Sequence, residues 1–212
     1  MLYDKDIREP LFDFLEEAYG KVRIFEEKMI GSSRADVVMV IDGAVCGIEI
    51  KSDADTYARL EGQVKDYVRY YDYNYVAVGA SHGHHVAEHV PEDWGIITVE
   101  ETPDGPDFYM LRKPQKNLKR DKKLKLGMLW RPELVHVQEV LEMPAYKRMS
   151  KAFVIDKIAA KADDETVDLL VSEELFERDY ETIAEKINEF RKSISRPKKR
   201  KRRVTKYRKI HP

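Results

Sequence analysis

Residues 35–51, ADVVMVIDGAVCGIEIK, constrain this chain more than any other stretch. Asp42-Gly43 between two apolar runs is among the strongest two-residue hairpin signals. The flanks, VVMVI and IEIK, are too apolar for a hairpin exposed on both faces, so the strands must be covered. With a two-residue turn, Ile41 faces Ala44, Val38 faces Gly47, Asp36 faces Glu49 and Arg34 faces Lys51. Opposed side chains share a face, with Cβ atoms ~5 Å apart. Lys51, two residues beyond Glu49, projects from that same face.

Two carboxylates so placed repel and are destabilising unless neutralised. A divalent cation neutralises them, and ligation by carboxylates and water suits Mg²⁺ or Mn²⁺. A lysine beside the pair can orient a water or stabilise charge developing on a phosphate. This set of groups suits metal-assisted hydrolysis of a phosphodiester. The alternative is a surface hairpin with solvated charges, but burying an unpartnered carboxylate among such residues costs several kcal/mol.

The rest of the first half alternates helix and strand signals. Asp6 is placed to cap a helix whose apolar face is Ile7, Leu11, Phe14 and Leu15, with Pro10 in its first turn and Gly20 as its stop. Strands are expected at Val22–Phe25, Ala35–Ile41 and Ala44–Lys51. A second helix is expected from Asp55 to Tyr71, with Leu60, Val64, Tyr67 and Tyr71 as its stripe. Tyr75–Val78 reads as a buried strand, His85–Val90 as a short helix, and Ile96–Glu100 and Phe108–Leu111 as strands. The order predicts an α/β sheet domain over residues 1–112.

At the hairpin and second helix the chain resembles the PD-(D/E)xK nuclease superfamily, in its RecB-like and Holliday-resolvase-like branches. The matching residues are Arg34-Ala35-Asp36 and Gly47-Ile48-Glu49-Ile50-Lys51, carried on an αβββαβ order; alanine stands where the motif name has proline. Gln63 and Tyr67 resemble the Q-h-x-x-Y motif of RecB-like members and lie on one side of the helix. The string EIKSDADTYARLEGQVKDY also resembles a group of bacterial and phage proteins. The resemblance, over about residues 6–80, implies a restriction-endonuclease-like αβββαβ core with a mixed sheet. It implies that Asp36, Glu49 and the Ile50 carbonyl hold Mg²⁺, or Mn²⁺ in its place, and that Lys51 is catalytic. Gln63 then positions the site, while Tyr67 packs beside it or contacts substrate. Glu9 lies near the place of a metal-linked glutamate in archaeal-type Holliday junction resolvases; its alternative is an acid favoured by the helix dipole. Glu26 and Glu27 are weaker candidates. Arg34 and Arg59 are candidate phosphate contacts.

The net charge of −1 hides strong segregation. Residues 1–112 carry 11 Lys/Arg against 23 Asp/Glu, and residues 113–125 carry 7 against 1. Residues 126–196 carry 11 against 15, and residues 197–212 carry 9 against none. This asymmetry points to a polyanion partner. Residues 113–125 read as a basic linker or exposed arm. Residues 126–196 read as a helical accessory domain with helices at 131–142, 150–161, 164–177 and 179–192. Residues 197–212 read as a disordered basic tail in which Lys198, Lys199, Arg200, Lys201, Arg202 and Arg203 track a phosphate backbone. SHGHHVAEH reads as a polar loop and short helix, although His85 and His89 have metal-ligand spacing.

A single cysteine, Cys46, excludes an internal disulfide framework and a cysteine-built zinc site. No apolar run approaches the roughly 18–20 residues of a bilayer span, and MLYDKDIREP has no signal-peptide pattern. The expectation is a cytoplasmic, Mg²⁺-dependent DNA nuclease, with RNA as another substrate class and a homodimer or larger complex as its assembly. The alternative is a non-catalytic DNA-binding or scaffold protein of this fold in a phage, repair or recombination complex.

Overall fold

Helix α1 (Asp4–Tyr19) opens the chain, and its buried residues Ile7, Leu11 and Leu15 recur every four positions as a single stripe. Asp6 is not its N-cap. The helix starts at Asp4, and the Asp6 carboxylate accepts the Tyr3 N–H at 3.0 Å from inside the first turns. Pro10 consequently lies beyond the first turn. The structure, a computed structural model, describes residues 2–83, 85–179, 189, 191 and 192.

Strands β1 (Arg23–Ile30), β2 (Ser33–Ile41) and β3 (Ala44–Lys51) form an antiparallel meander. Gly43 takes the left-handed backbone, φ +69°, that the second turn between β2 and β3 requires. A 3-10 turn (Tyr57–Arg59) and helix α2 (Leu60–Tyr70) then cross to β4 (Tyr73–Gly79), parallel to β3. The expected single helix from Asp55 is therefore two pieces. Helix α3 (Ala80–Gly83) and a 3-10 turn (Val86–Glu88) lead to β5 (Gly95–Thr102), parallel to β4, and β6 (Gly105–Arg112) returns antiparallel. The result is a mixed α/β architecture on a six-stranded sheet in sequential order.

Both sheet faces are covered. Ile7, Leu11 and Leu15 of α1 pack with Val37, Met39, Cys46, Ile48 and Ile50 on one face. Tyr67 and Tyr71 pack with Val38, Val40, Val45, Val76 and Val78 on the other. Strand β3, covered twice, is buried at all eight positions, which explains its nearly unbroken apolar run.

Residues 113–125 are anchored at Asn117, Arg120 and Lys125 rather than forming a free basic arm, although Lys113, Lys116, Lys119 and Lys123 are exposed. Asn117 is buried, and its side-chain amide donates to the Val68 and Tyr71 carbonyls at 2.7 and 2.8 Å. Helix α4 (Lys122–Gly127), capped by Asp121, ends the segment. Lys125 is 0% exposed and donates to Asp72 at 2.5 Å and to Asp168 at 2.7 Å. Arg120 pairs with the same two acids, at 2.6 Å to Asp72, and Lys116 reaches Asp168 at 3.1 Å. The charge run looked solvated because its acidic partners lie some 50 residues away on either side.

The helical region α5 (Arg131–Val140), α6 (Lys151–Lys161) and α7 (Asp164–Phe176) shares a core with the sheet. Leu134, Val137, Val154, Ile158, Val167 and Val171 belong to the cluster that holds Tyr67 and Val76. Most of the expected helix at 179–192, and the basic tail, lie outside the described residues.

Removing Lys125 leaves Asp72 and Asp168 buried with too little positive charge. Lys125→Ala is expected to lower stability by about 3–5 kcal/mol, read from the urea midpoint at constant m-value.

Candidate active site

Asp36 stands where the hairpin ladder stops. The β2–β3 pairing runs from Ile41↔Ala44 to Val37↔Ile48 and no further, so Asp36 and Glu49 are not the cross-strand pair that register predicts. Arg34 likewise pairs with Met29 of β1 rather than with Lys51. On the other side of β2, the β1 ladder passes from Glu26↔Val37 to Lys28↔Ala35, skipping Glu27 and Asp36. Glu27 has φ +52°, a conformation that L residues other than glycine rarely adopt. Across this irregularity the alternation breaks: Ala35 joins the same core cluster as Val38 and Val40. Freed from the ladder, Asp36 accepts the Ile50 N–H at 2.9 Å on Oδ2.

Glu49 is 1% exposed, and three side chains satisfy it. Lys51 Nζ donates to Oε1 at 2.6 Å, the Gln63 amide donates to the same oxygen, and the Tyr67 hydroxyl donates to Oε2 at 2.8 Å. Lys51 also donates to Gln63 Oε1 at 3.2 Å. Gln63 and Tyr67 lie one turn apart on α2, so one helix face supplies two of the three donors. Tyr67 is wholly buried, which corrects its expected role as a nucleic-acid contact. Burial pushes its phenol well above the ordinary tyrosine range and keeps it a donor. This approach of helix to sheet needs Gly47: a Cβ there would lie 2.2 Å from Tyr71 Cδ2 and 2.8 Å from Tyr67 Cδ1.

The groups line a polar cleft of about 840 Å³. Asp36, Glu49, Ile50, Lys51 and Gln63 line it, as do Arg34 and Arg59. Burial first, and the Glu49 charge second, push the Asp36 carboxyl up to about 7. The Ile50 N–H, Lys51 and Arg8 act in the opposite direction. A carboxyl held so high is short of positive charge. The donor set of Asp36, Glu49 and the Ile50 carbonyl is all oxygen, which fits a hard cation that retains several waters. Among the described residues no group of three or more His, Cys, Asp or Glu is arranged to hold a metal ion, so the other acids lining the cleft, Asp4, Glu27 and Asp55, do not join Asp36 and Glu49 in such a group.

Glu9 is exposed and does not line the cleft; the α1 residues that do are Asp4 and Arg8. Arg8 was missed in the sequence. Its guanidinium donates to the Asp36 carbonyl at 3.0 Å and to both Asp4 oxygens at 2.9 Å, tying the start of α1 to β2. An i, i+4 Asp–Arg pair on a helix gives no sign of a partner 28 residues away. Asp66 was missed too: Oδ2 accepts from Ser32 N and Oγ at 3.1 and 2.9 Å, fixing the β1–β2 turn against α2. Burial alone would raise its carboxyl, but the Ser32 and Ser33 donors hold it below the usual range. His85 and His89 flank a 3-10 turn, and His89 stacks on Tyr57 with ring centroids 4.2 Å apart. His84 and the six basic residues Lys198–Arg203 lie outside the described residues.

The family model for bacteriophage P4 protein cII matches residues 1–202. The chain belongs to the bacteriophage P4 cII family. No curated protein matches this cII-family chain. Among solved structures, it is similar to Pyrococcus furiosus SfsA in complex with Ca²⁺, at 13% identity and a TM-score of 0.31, over 50% of this chain and 59% of that one.

Two outcomes follow from the geometry. Gly47→Ala forces α2 off the sheet and is expected to lower stability by about 1–3 kcal/mol, with loss of near-ultraviolet tyrosine dichroism. The folded Asp36 carboxyl titrates about 7, well above its value of 3.8 in the unfolded chain. Its folded state therefore keeps the proton, and stability falls as pH rises from about 4 through 7. In EDTA, Asp36→Asn should be more stable than the parent at pH 8, by about 2–4 kcal/mol. The gap should close by pH 4. Urea titrations across that range read it directly, and a gap independent of pH would contradict the assignment.

Proposed function

We propose that this cII-family chain is a metal-dependent DNA nuclease of the PD-(D/E)xK type, with a restriction-endonuclease-like core formed by α1, β1–β3, α2 and β4. The observation that carries this reading is the Asp36–Glu49–Lys51–Gln63 constellation: a half-buried and a buried carboxylate, a lysine and an oriented amide converging in one polar cleft. A structural role does not need all four side chains, because a well-packed apolar group at Glu49 would avoid the desolvation cost altogether.

Asp36, Glu49 and the Ile50 carbonyl would hold Mg²⁺ or Mn²⁺, which supplies charge neutralisation at a phosphate and acidifies a bound water. Every other role falls to side chains. Lys51 has three donors, of which Glu49 and Gln63 take two. The third is available to orient the attacking water or to neutralise a non-bridging phosphate oxygen. Gln63 fixes the lysine by accepting from it while donating to Glu49. Tyr67, donating to Oε2, fixes the orientation of the Glu49 carboxylate. Arg8 holds the Asp36 backbone, so the first acid keeps its place when the cleft fills.

The test is cleavage of labelled single-stranded, duplex and branched DNA in Mg²⁺, Mn²⁺ and EDTA. Metal-dependent cleavage is expected, falling by about 10³-fold or more in Asp36→Ala and Lys51→Ala, with binding retained in Lys51→Ala. Cleavage that survives both substitutions would overturn the mechanism. Salt-sensitive binding with no cleavage under any condition would favour a scaffold role.

A further inference from the structure

Met29 is the anomaly of the cleft. It is 66% exposed on β1, yet it lines the same, mostly polar cavity as Asp36 and Lys51. Its ladder partner is Arg34, whose side chain is half exposed and pairs only loosely with Glu27 at 3.3 Å. The turn of this hairpin is not free to swing. Asp66 takes two hydrogen bonds from Ser32, and Tyr70 takes one from Gly31 N at 3.1 Å. A Cβ on Gly31 would lie 2.4 Å from Asp66 Oδ1, so the contact is close. The helix that orients Glu49 through Gln63 and Tyr67 therefore also sets where Met29 and Arg34 stand.

Charge decides what such a wall receives. A duplex presents sugars and phosphates to a protein cleft and demands cations along two backbones. In the described segment richest in cations, residues 113–125, Lys125, Arg120 and Lys116 neutralise Asp72 and Asp168, and none of its cations lines the cleft. Within the cleft, Arg59 makes no ion pair with any described residue, and Arg34 needs only to release an exposed glutamate. Two available arginines beside the exposed Met29 match a single backbone with a base turned out of its stack. Methionine is among the side chains that wedge against unstacked bases.

Building on the nucleic-acid reading above, we propose that the distal β1–β2 hairpin is a single-strand grip. Met29 takes the face of an unstacked base and Arg34 a neighbouring phosphate, so the substrate is single-stranded or splayed DNA rather than continuous duplex.

The experiment measures binding apart from cleavage, in the Lys51→Ala background with EDTA, by anisotropy of a labelled single strand and of its duplex. Met29→Ala is expected to weaken single-strand binding about five- to tenfold and duplex binding less than twofold. Met29→Trp should restore the single-strand affinity and quench 2-aminopurine placed in the strand. Arg34→Ala should lower the salt slope of single-strand binding by about one. Tighter binding to duplex by the parent, or equal effects of Met29→Ala on both forms, would overturn the grip. Metal-dependent cleavage by the wild type with Met29→Ala indifferent would overturn it while leaving the nuclease standing. A selective loss of single-strand binding in a wild type that cleaves nothing would support the grip and sink the nuclease.

Discussion

A carboxylate in the middle of a fully buried strand sets the terms for this structure. Glu49 lies in β3, which is covered on both faces, and an ionised group there is tolerated only if both of its oxygens find donors. Lys51, Gln63 and Tyr67 are those donors, and two of them come from α2. The helix must then approach β3 closely enough to leave no room for a side chain at residue 47. Where α2 ends, Tyr71 and Asp72 follow, and Asp72 is itself buried to accept the Val45 N–H at 2.7 Å. That second buried acid calls in Lys125 and Arg120, and with them the helices beyond residue 120. One desolvated charge next to the site thus propagates into the placement of the C-terminal helices.

The parts legible in sequence were those governed by local pattern. The Asp42-Gly43 turn, the β3 span and the 63/67 spacing on α2 are short-range signals, and the structure has each of them. Asp36, Glu49, Lys51 and Gln63 line one cleft as their pattern implied. What pattern could not carry was the departure from regularity. A left-handed Glu27 and a ladder that ends at Val37 place Asp36, and nothing in EEKMIGSSRAD marks that break. Assuming an unbroken two-residue period gave Asp36 and Glu49 as direct partners and Arg34 as the partner of Lys51; the strands separate before either pair can form.

Charge was legible in quantity but not in destination. The run KPQKNLKRDKKLK is basic enough to read as a polyanion-binding arm, and its composition gives no sign that Asp72 and Asp168 wait for it. Replacing solvent by two buried carboxylates changes the role of those cations from affinity to architecture.

Helix α2 can be read as a ruler laid across the site. Gln63 and Tyr67 face Glu49, while Asp66 and Tyr70, offset by three residues from each, hold the turn of the β1–β2 hairpin. Residues at i, i+3, i+4 and i+7 span about two turns, so the acids and the hairpin wall are set a fixed distance apart by helical geometry alone. A side chain that shifts α2 along its axis must therefore move both together, and the width of the cleft is conserved under such motion. A substitution that releases only Asp66 acts differently: it frees the wall and leaves the acids in place. The hairpin wall and the Glu49 contacts share one scaffold but separate hydrogen bonds, and for that reason they are separable by mutation.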